Sequence, residues 1–516
     1  MRCPSTLLHV GLALAVLGAA ATAVPAAAAP PGIAAALASH HPLIVVTFAN
    51  TPSQFLGRAG STAHRYAGTG YSVSQNAHAV AERLASTYAL HEVDSWPIRA
   101  LSVHCVVYEI QDKRSAADVI TALSKDPRVS LAQPLNLFHT LTVPEDSQFD
   151  SERGRSDGSS PPEGNPAVPG ETAPANRTTP TGAPAVSSSA PGLHYNDPLY
   201  DLQTNLASLA VAQAHERSQG AGVRVGLVDT GVDTAHPDLR GRIASTRSFL
   251  GRHAASADSY RHGTAMAGLI AAVANNHVGI VGIAPLARIE VFEACWQLRP
   301  QADEAACNTF TLAQAIAAAL DARVQIVNLS IAGPADPLLS ALIEAGLRRG
   351  VIFVGASAPG ADAFPTAIPG VIDVGSTEHV SGKPTVTAPG VHVLTLHPGA
   401  QYDFESGTSV AAAEVSGVVA LLLSADPHLT IDAVEDLLKR TAGAQALPAG
   451  QARVPGSGAR PGHPVDPSGL DADAGYVGDA GPDRPDASPA HSVNANVALG
   501  GLQRKRARRI AANLER

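Results

Sequence analysis

At 516 residues and 45% hydrophobic, the chain is long enough for two or three domains with a substantial core, which excludes a wholly disordered protein. Aromatics at 4% and 39 prolines mean that packing is uneven along the chain. A net charge of −9 provides no basic face, so nothing in the composition supports nucleic-acid binding.

In chain order, Arg2, an apolar segment from Leu7 to about Ala20 and the small residues around Ala21-Thr22-Ala23 form a secretory signal peptide pattern over residues 1–29. With no other segment long and apolar enough to span a bilayer, the mature protein is expected outside the cytoplasm, secreted or periplasmic. Loss of Cys3 with that segment leaves Cys105, Cys295 and Cys307. An oxidising compartment favours a disulfide between Cys295 and Cys307, which would close a short loop; two buried free thiols are the alternative.

Residues 40–142 read as strand Leu43 to Phe48, helix Ala77 to Leu90, strands Pro97 to Leu101 and Ser102 to Ile110, helix Ala116 to Lys125 and strand Val129 to Pro134. That order predicts a small α+β, ferredoxin-like unit, a fold that by itself names no function. Residues 143–195 lose apolar periodicity and turn to Pro, Ser, Gly and Thr, the composition of a solvated linker. Residues 196–442 alternate buried strands at Val223, Ile289, Val324, Val351 and Val371 with helices beginning at His262, Thr311, Pro337 and Ser409. This pattern predicts an α/β domain, a mainly parallel sheet with helices on both faces. Residues 443–516 form a Pro, Gly and Asp rich tail with a basic run, Gln503 to Arg509, read as solvated; Asp473 to Val477 is a candidate returning strand that would carry the domain to about residue 480.

Three motifs fall where such a sheet places its chemistry, beyond the carboxyl ends of the strands. Val228-Asp-Thr-Gly-Val-Asp-Thr-Ala-His-Pro-Asp-Leu239 puts Asp229 at a strand end, where nearby N–H groups keep a carboxylate ionised and aimed. Asp-Thr-Gly also marks aspartic proteases, but those share a proton between two such carboxylates and no second triplet of that kind occurs. Arg261-His-Gly-Thr-Ala-Met-Ala-Gly-Leu-Ile270 opens a helix with His262, and the small residues behind it allow close packing. Glu405-Ser-Gly-Thr-Ser-Val-Ala-Ala-Ala-Glu-Val-Ser-Gly-Val-Val-Ala-Leu-Leu-Leu423 joins a polar turn to an apolar run shorter than the roughly 20 residues a bilayer needs and interrupted by Glu414. The run reads as a core helix with Ser409 in its first turn, where free N–H groups and the helix dipole favour a developing oxyanion. Singly, these residues are a turn aspartate, a capping histidine and an N-cap serine. Together, an Asp, a His and a Ser at such positions are the set that acyl transfer needs.

On those residues, the region from Asn196 to Ala442 resembles the subtilisin-like serine proteases, the subtilases. Val-Asp-Thr-Gly-Val-Asp with His-Pro-Asp-Leu, His-Gly-Thr with Gly268, and Gly-Thr-Ser-Val-Ala-Ala match the three motifs of that family. The resemblance implies a secreted endopeptidase with Asp229, His262 and Ser409 as its triad and the Ser409 N–H as one oxyanion donor. It implies that Ser330, Ile331, Ala332 and Gly333 form an edge strand that pairs with the substrate backbone. Residues 40–142 would then be a prodomain, chaperone and inhibitor until cut between Leu141 and Asn196. Protein or peptide substrates are implied, with no cofactor for catalysis and no membrane span.

Two residues depart from the family pattern. Ala413 stands where the family usually has Pro, which a helix tolerates well. Ala358, in Val351-Ile-Phe-Val-Gly-Ala-Ser-Ala-Pro-Gly360, stands where the family places its oxyanion-hole Asn, with Ser357 in place of a glycine. Losing that donor costs a subtilisin about 10²–10³ in turnover, or roughly 3–4 kcal/mol. This is less than half of even a modest enzymatic acceleration of about 8 kcal/mol. The expectation is a working but slow peptidase, or one in which Ser357, a backbone N–H or a water supplies the second donor. The alternative is a catalytically impaired subtilase that binds peptides. Asn275-Asn-His-Val-Gly-Ile280 resembles the loop that holds structural calcium in some members, with a spacing one residue longer; it reads first as a plain turn, and no metal ligand is assigned.

Overall fold

The computed structural model describes residues 41–50, 72–141, 195–251, 260–298, 304–360, 363–378, 383–442 and 492–514, without the side chains of 505–514. The signal peptide pattern, most of the linker and the stretch containing Asp473 lie outside these residues.

Near the N-terminus, β1 (Leu43–Ala49), β2 (Leu90–Ile98), β3 (Val103–Ile110) and β4 (Leu131–Pro134) form an antiparallel sheet in the order β2-β3-β1-β4. Helices Gln75–Tyr88 and Ala116–Leu123 pack on it, each started by a serine, Ser74 or Ser115, that accepts a backbone N–H three residues on. The chain order of strands and helices is ferredoxin-like. β1 is apolar except at Thr47 because both of its faces are covered: Ile44, Val46 and Phe48 face those helices, while Leu43 and Val45 join the core of the remainder. Sequence periodicity starts the second strand at Pro97, but it begins at Leu90. β2 is an edge strand with a register shift between Glu92 and Asp94, an arrangement that masks alternation and tolerates proline.

One more strand, β5 (Leu137–Thr140), leaves this sheet and is taken up below. The large sheet contains β6 (Arg224–Asp229), β7 (Ile243–Ser248), β8 (Arg288–Glu293), and, after the short β9 (Cys295–Gln297) and β10 (Ala305–Asn308), β11 (Ile326–Leu329). Beyond β12 (Ile331–Ala332) it adds β13 (Ile352–Ala356), β14 (Ile372–Ser376) and β15 (Val386–Ala388). The seven strands run parallel in the order β15-β14-β13-β11-β6-β8-β7. Alternation along β6 divides the core: Val225 and Leu227 meet helices Arg261–Ala271 and Thr408–Ala425, while Val228 meets the cluster built on Thr309–Ala322 and Pro337–Leu347. A hairpin of β16 (Val393–His397) and β17 (Gln401–Glu405) packs over the Arg261–Ala271 helix.

The small sheet docks on the second helix pair. Trp96 stands edge-on to Phe310 at 4.6 Å. Gln133 Oε1 accepts the Leu338 N–H at 3.0 Å, and the Asn136 carbonyl accepts the Thr309 N–H at 3.0 Å. Both helix starts thus have orphan N–H groups satisfied from outside.

Within the expected Pro, Gly and Asp rich tail, residues 492–502 pack against the main domain. Val493 N–H bonds Thr387 O at 2.9 Å and Ala495 N–H bonds Leu209 O at 2.9 Å, leading into helix Ala495–Leu514. Ala495, Ala498, Leu499 and Leu502, at helical spacing, enter the main core. The stripe is short and the basic run begins directly after it at Gln503, so it leaves little apolar signal in the composition.

Candidate active site

Asp229 ends β6, and His262 opens the Arg261–Ala271 helix beside it. His262 Nδ1 lies 2.8 and 2.9 Å from the two Asp229 carboxylate oxygens, and the Thr230 N–H reaches Oδ1 at 2.7 Å. Both side chains are buried. The approach depends on Gly263: a Cβ there would stand 2.0 Å from Gly231 O, so a larger residue would push the helix start off the aspartate turn. A carboxylate on Nδ1 fixes the proton at that nitrogen and turns Nε2 into the basic one.

Ser409 enters through Gly407, whose φ of 141° suits glycine and whose N–H bonds Gly390 O at 2.7 Å. Behind it, the Thr408–Ala425 helix is apolar enough to cross a membrane, but 83% of it is buried, so it is the core of this domain. A polar chain fixes its depth: Ser416 Oγ donates to Asn328 Oδ1 at 2.8 Å, Asn328 Nδ2 to Ser330 Oγ at 2.9 Å, and Ser330 Oγ to Ser409 O at 3.1 Å. Ser409 Oγ donates to Ser330 O at 3.1 Å and accepts the Leu141 N–H at 3.0 Å.

That last contact belongs to a second sheet, ordered β12-β5-β10-β9. β5 lies antiparallel between two walls. On one side Thr140 and His139 pair with Ile331 and Ala332; on the other Leu137, Phe138 and His139 pair with Asn308, Cys307 and Ala306. Leu141 follows, with its carbonyl oxygen 3.4 Å from the Ser409 N–H. Phe138 is fully buried, edge-on to Phe364 at 5.1 Å, and a Cβ on Gly333 would stand 2.2 Å from its ring. The next residue outward, Leu137, is 47% exposed. The Cys295–Cys307 disulfide staples β9 to β10, and Cys105 is a buried free thiol. Of the four residues expected along the cleft edge, Ile331 and Ala332 pair with β5. Gly333 instead exchanges backbone bonds with Phe364, and Ser330 lies under the serine.

Ala358, at the position expected for the family asparagine, is half-buried and its methyl offers no donor. Ser357 does not replace it. Its N–H bonds Val374 O at 2.8 Å and its hydroxyl bonds the Asp373 side chain, so both donors are committed to β14. Thr408 Oγ1 donates to Ser357 O at 2.8 Å. A backbone N–H on Ser409 is the donor found at the Leu141 carbonyl.

The loop from Asn275 fits a calcium ion poorly. Asp238 Oδ1 accepts Asn276 Nδ2 at 2.7 Å, and Oδ2 accepts the Ile280 N–H at 2.8 Å and Tyr402 OH at 3.4 Å. Asp197 accepts the N–H groups of Asn275 and Asn276 at 2.8 and 3.2 Å. Burial raises the Asp238 carboxyl to about 6. Calcium needs six to eight oxygens with lone pairs turned inward, and here N–H donors hold them.

A family profile described as the subtilase family matches residues 220–477. Subtilisin Savinase of Lederbergia lenta is 30% identical over 243 residues, 44% of this chain and 87% of that protein. Thermitase of Thermoactinomyces vulgaris is 31% identical over 244 residues, covering 85% of its length. The chain belongs to the subtilase family. M-protease of Shouchella clausii strain KSM-K16 is 31% identical, although the match spans only 61% of its length. Fervidolysin of Fervidobacterium pennivorans, described as a keratinolytic enzyme related to subtilisin, aligns with a TM-score of 0.53 at 21% identity, over 78% of this chain and 57% of that one. At that identity the likeness speaks of the fold alone.

Sequence reasoning missed Phe138, Leu141, Phe364 and the wall residues Ala306 to Asn308 of this subtilase. The alternation of Leu137-Phe-His-Thr140 was available as a signal, but four residues between two other strands carry too little of it.

Proposed function

We propose that this subtilase is a secreted serine endopeptidase, made as a zymogen, whose Asp229, His262 and Ser409 hydrolyse peptide bonds through an acyl-enzyme. The observation that carries the reading is the seating of Leu137 to Leu141, paired on both sides, with the Leu141 carbonyl at the Ser409 N–H and the Leu141 amide on Ser409 Oγ. A strand held this way has its carboxyl-terminal carbonyl at the nucleophile.

In the proposed reaction, His262 Nε2 takes the proton as Ser409 Oγ attacks the carbonyl carbon. Asp229 holds the imidazole and stabilises its cation. The developing oxyanion meets the Ser409 N–H and the start of the buried helix. His262 then returns the proton to the leaving amine, and water releases the acyl group. Residues 43–141 act as the prodomain, and their last strand fills the cleft until displaced. Secretion rests on the N-terminal pattern of residues 1–29.

A second reading, a catalytically impaired peptide-binding subtilase, is favoured by Ala358 alone. A fluorophosphonate separates the two, because covalent capture needs an activated serine. The expected result is labelling lost in Ser409→Ala, with wild-type protein processed to an N-terminus at Thr142 and Ser409→Ala left uncut. A wild-type chain that neither labels nor processes would reject the endopeptidase.

A further inference from the structure

Outside the proposed triad lies a second buried acid–imidazole pair. His397 Nε2 is 2.7 Å from Glu405 Oε1, and both residues are only 5% exposed. Arg261 reaches the same Glu405 oxygen with Nε at 3.6 Å and Asp403 with Nη2 at 3.6 Å, while Asp403 Oδ2 lies 3.9 Å from His397 Nδ1. His236 borders the group, with its Nε2 3.3 Å from the Gln401 carbonyl.

The location of this cluster in the chain gives it meaning. Arg261 immediately precedes His262, and Glu405 is four residues before Ser409. One ionic contact therefore links the helix that carries the base to the strand that delivers the nucleophile. His397 anchors the centre of that link from β16, the strand that also bonds the histidine helix through Thr395 Oγ1 and Ala265 O at 2.6 Å. A carboxylate as buried as Glu405 has little water to hold it, so its geometry is set by these two cations or donors.

Resting on the triad reading above, we propose that Arg261, Glu405 and His397 form a positioning clasp that fixes the distance between His262 and Ser409. None of the three touches the reacting atoms; each acts through the segment that holds a catalytic side chain. Loosening the clasp lets the histidine helix and the serine strand drift, and proton transfer between them is sensitive to displacements of an ångström or less.

The full chain tests this as wild type, Ser409→Ala, Glu405→Gln, Arg261→Met and the last two combined, read by kcat and KM on a chromogenic peptide and by the rate of fluorophosphonate labelling. Glu405→Gln is expected to lower kcat and labelling rate about ten-fold with KM nearly unchanged. Arg261→Met lowers both in the same sense, and the double variant falls no further than the worse single, because each cuts one link. Glu405→Asp should recover part of the loss. A Glu405→Gln protein that melts earlier but turns over at the wild-type rate would reduce the cluster to a structural role and overturn the proposal, as would full additivity in the double variant. If Glu405→Gln fails to fold, Arg261→Met decides, since that side chain is 27% exposed; unchanged kcat there overturns the clasp. Labelling that persists in Ser409→Ala would instead remove the triad, and the clasp with it.

Discussion

The two sheets that take strands from residues 43–140 are built on opposite principles. The β2-β3-β1-β4 sheet is assembled from neighbours in sequence, and its apolar rows have their own helices to cover them. The β12-β5-β10-β9 sheet collects four short segments spread from Leu137 to Ala332. No one of them would hold a strand alone, and they pair because the folded domain brings two edges to the right separation. In the second sheet β9 and β10 pair directly, and β5 is the strand that joins β12 to them.

The largest break in that contrast should come from Phe138→Ala. Truncating a buried aromatic costs about 3–5 kcal/mol. In a Ser409→Ala background, hydrogen exchange should show β5 losing protection by roughly that amount while β1 and β3 keep theirs. Equal loss in both sheets would mean that they unfold as one unit.

Acid should act the other way, on the first sheet. His104 in β3 is buried, and burial first, then the nearby His78, lowers its pKa from 6.5 to about 4. Between those values the unfolded chain binds the proton and the folded chain does not, so stability falls as pH drops through this window and is unaffected above it. The loss approaches roughly 3 kcal/mol by pH 4. Exchange of the Val103–Ile110 amides against pH checks this, and His104→Leu should flatten the profile.

A smaller effect lies in the serine helix. Burial holds the Glu414 carboxyl well above its ordinary range, against a hydrogen bond from Asn205 Nδ2 at 2.7 Å. The folded state keeps a proton that the unfolded state releases, so stability falls as pH rises above the usual glutamate value. Glu414→Gln is expected to raise the melting temperature, by a margin that widens towards alkaline pH. A lower melting temperature at pH 9 would show instead that Glu414 is ionised and paired. The smallest effect concerns the Asn275 loop: chelation by EDTA should leave the melting temperature unchanged, whereas a clear fall would reveal a calcium site despite the N–H donors on Asp238 and Asp197.

By itself, the sequence determined the alternation of strands and helices, the burial of the Thr408–Ala425 helix and the positions of Asp229, His262 and Ser409 at element ends. These depend on local periodicity and on glycine and small residues at fixed offsets, which a linear pattern records. The β5 strand in the cleft, the donors of Ser357 turned to Val374 and Asp373, the return of Ser492–Leu502 to the core and the Arg261–Glu405–His397 cluster were decided only by tertiary structure. Each depends on which groups meet across tens to hundreds of residues. Short segments carry too few apolar contacts to announce a partner, and a polar side chain has no periodicity that could name the one it will bond.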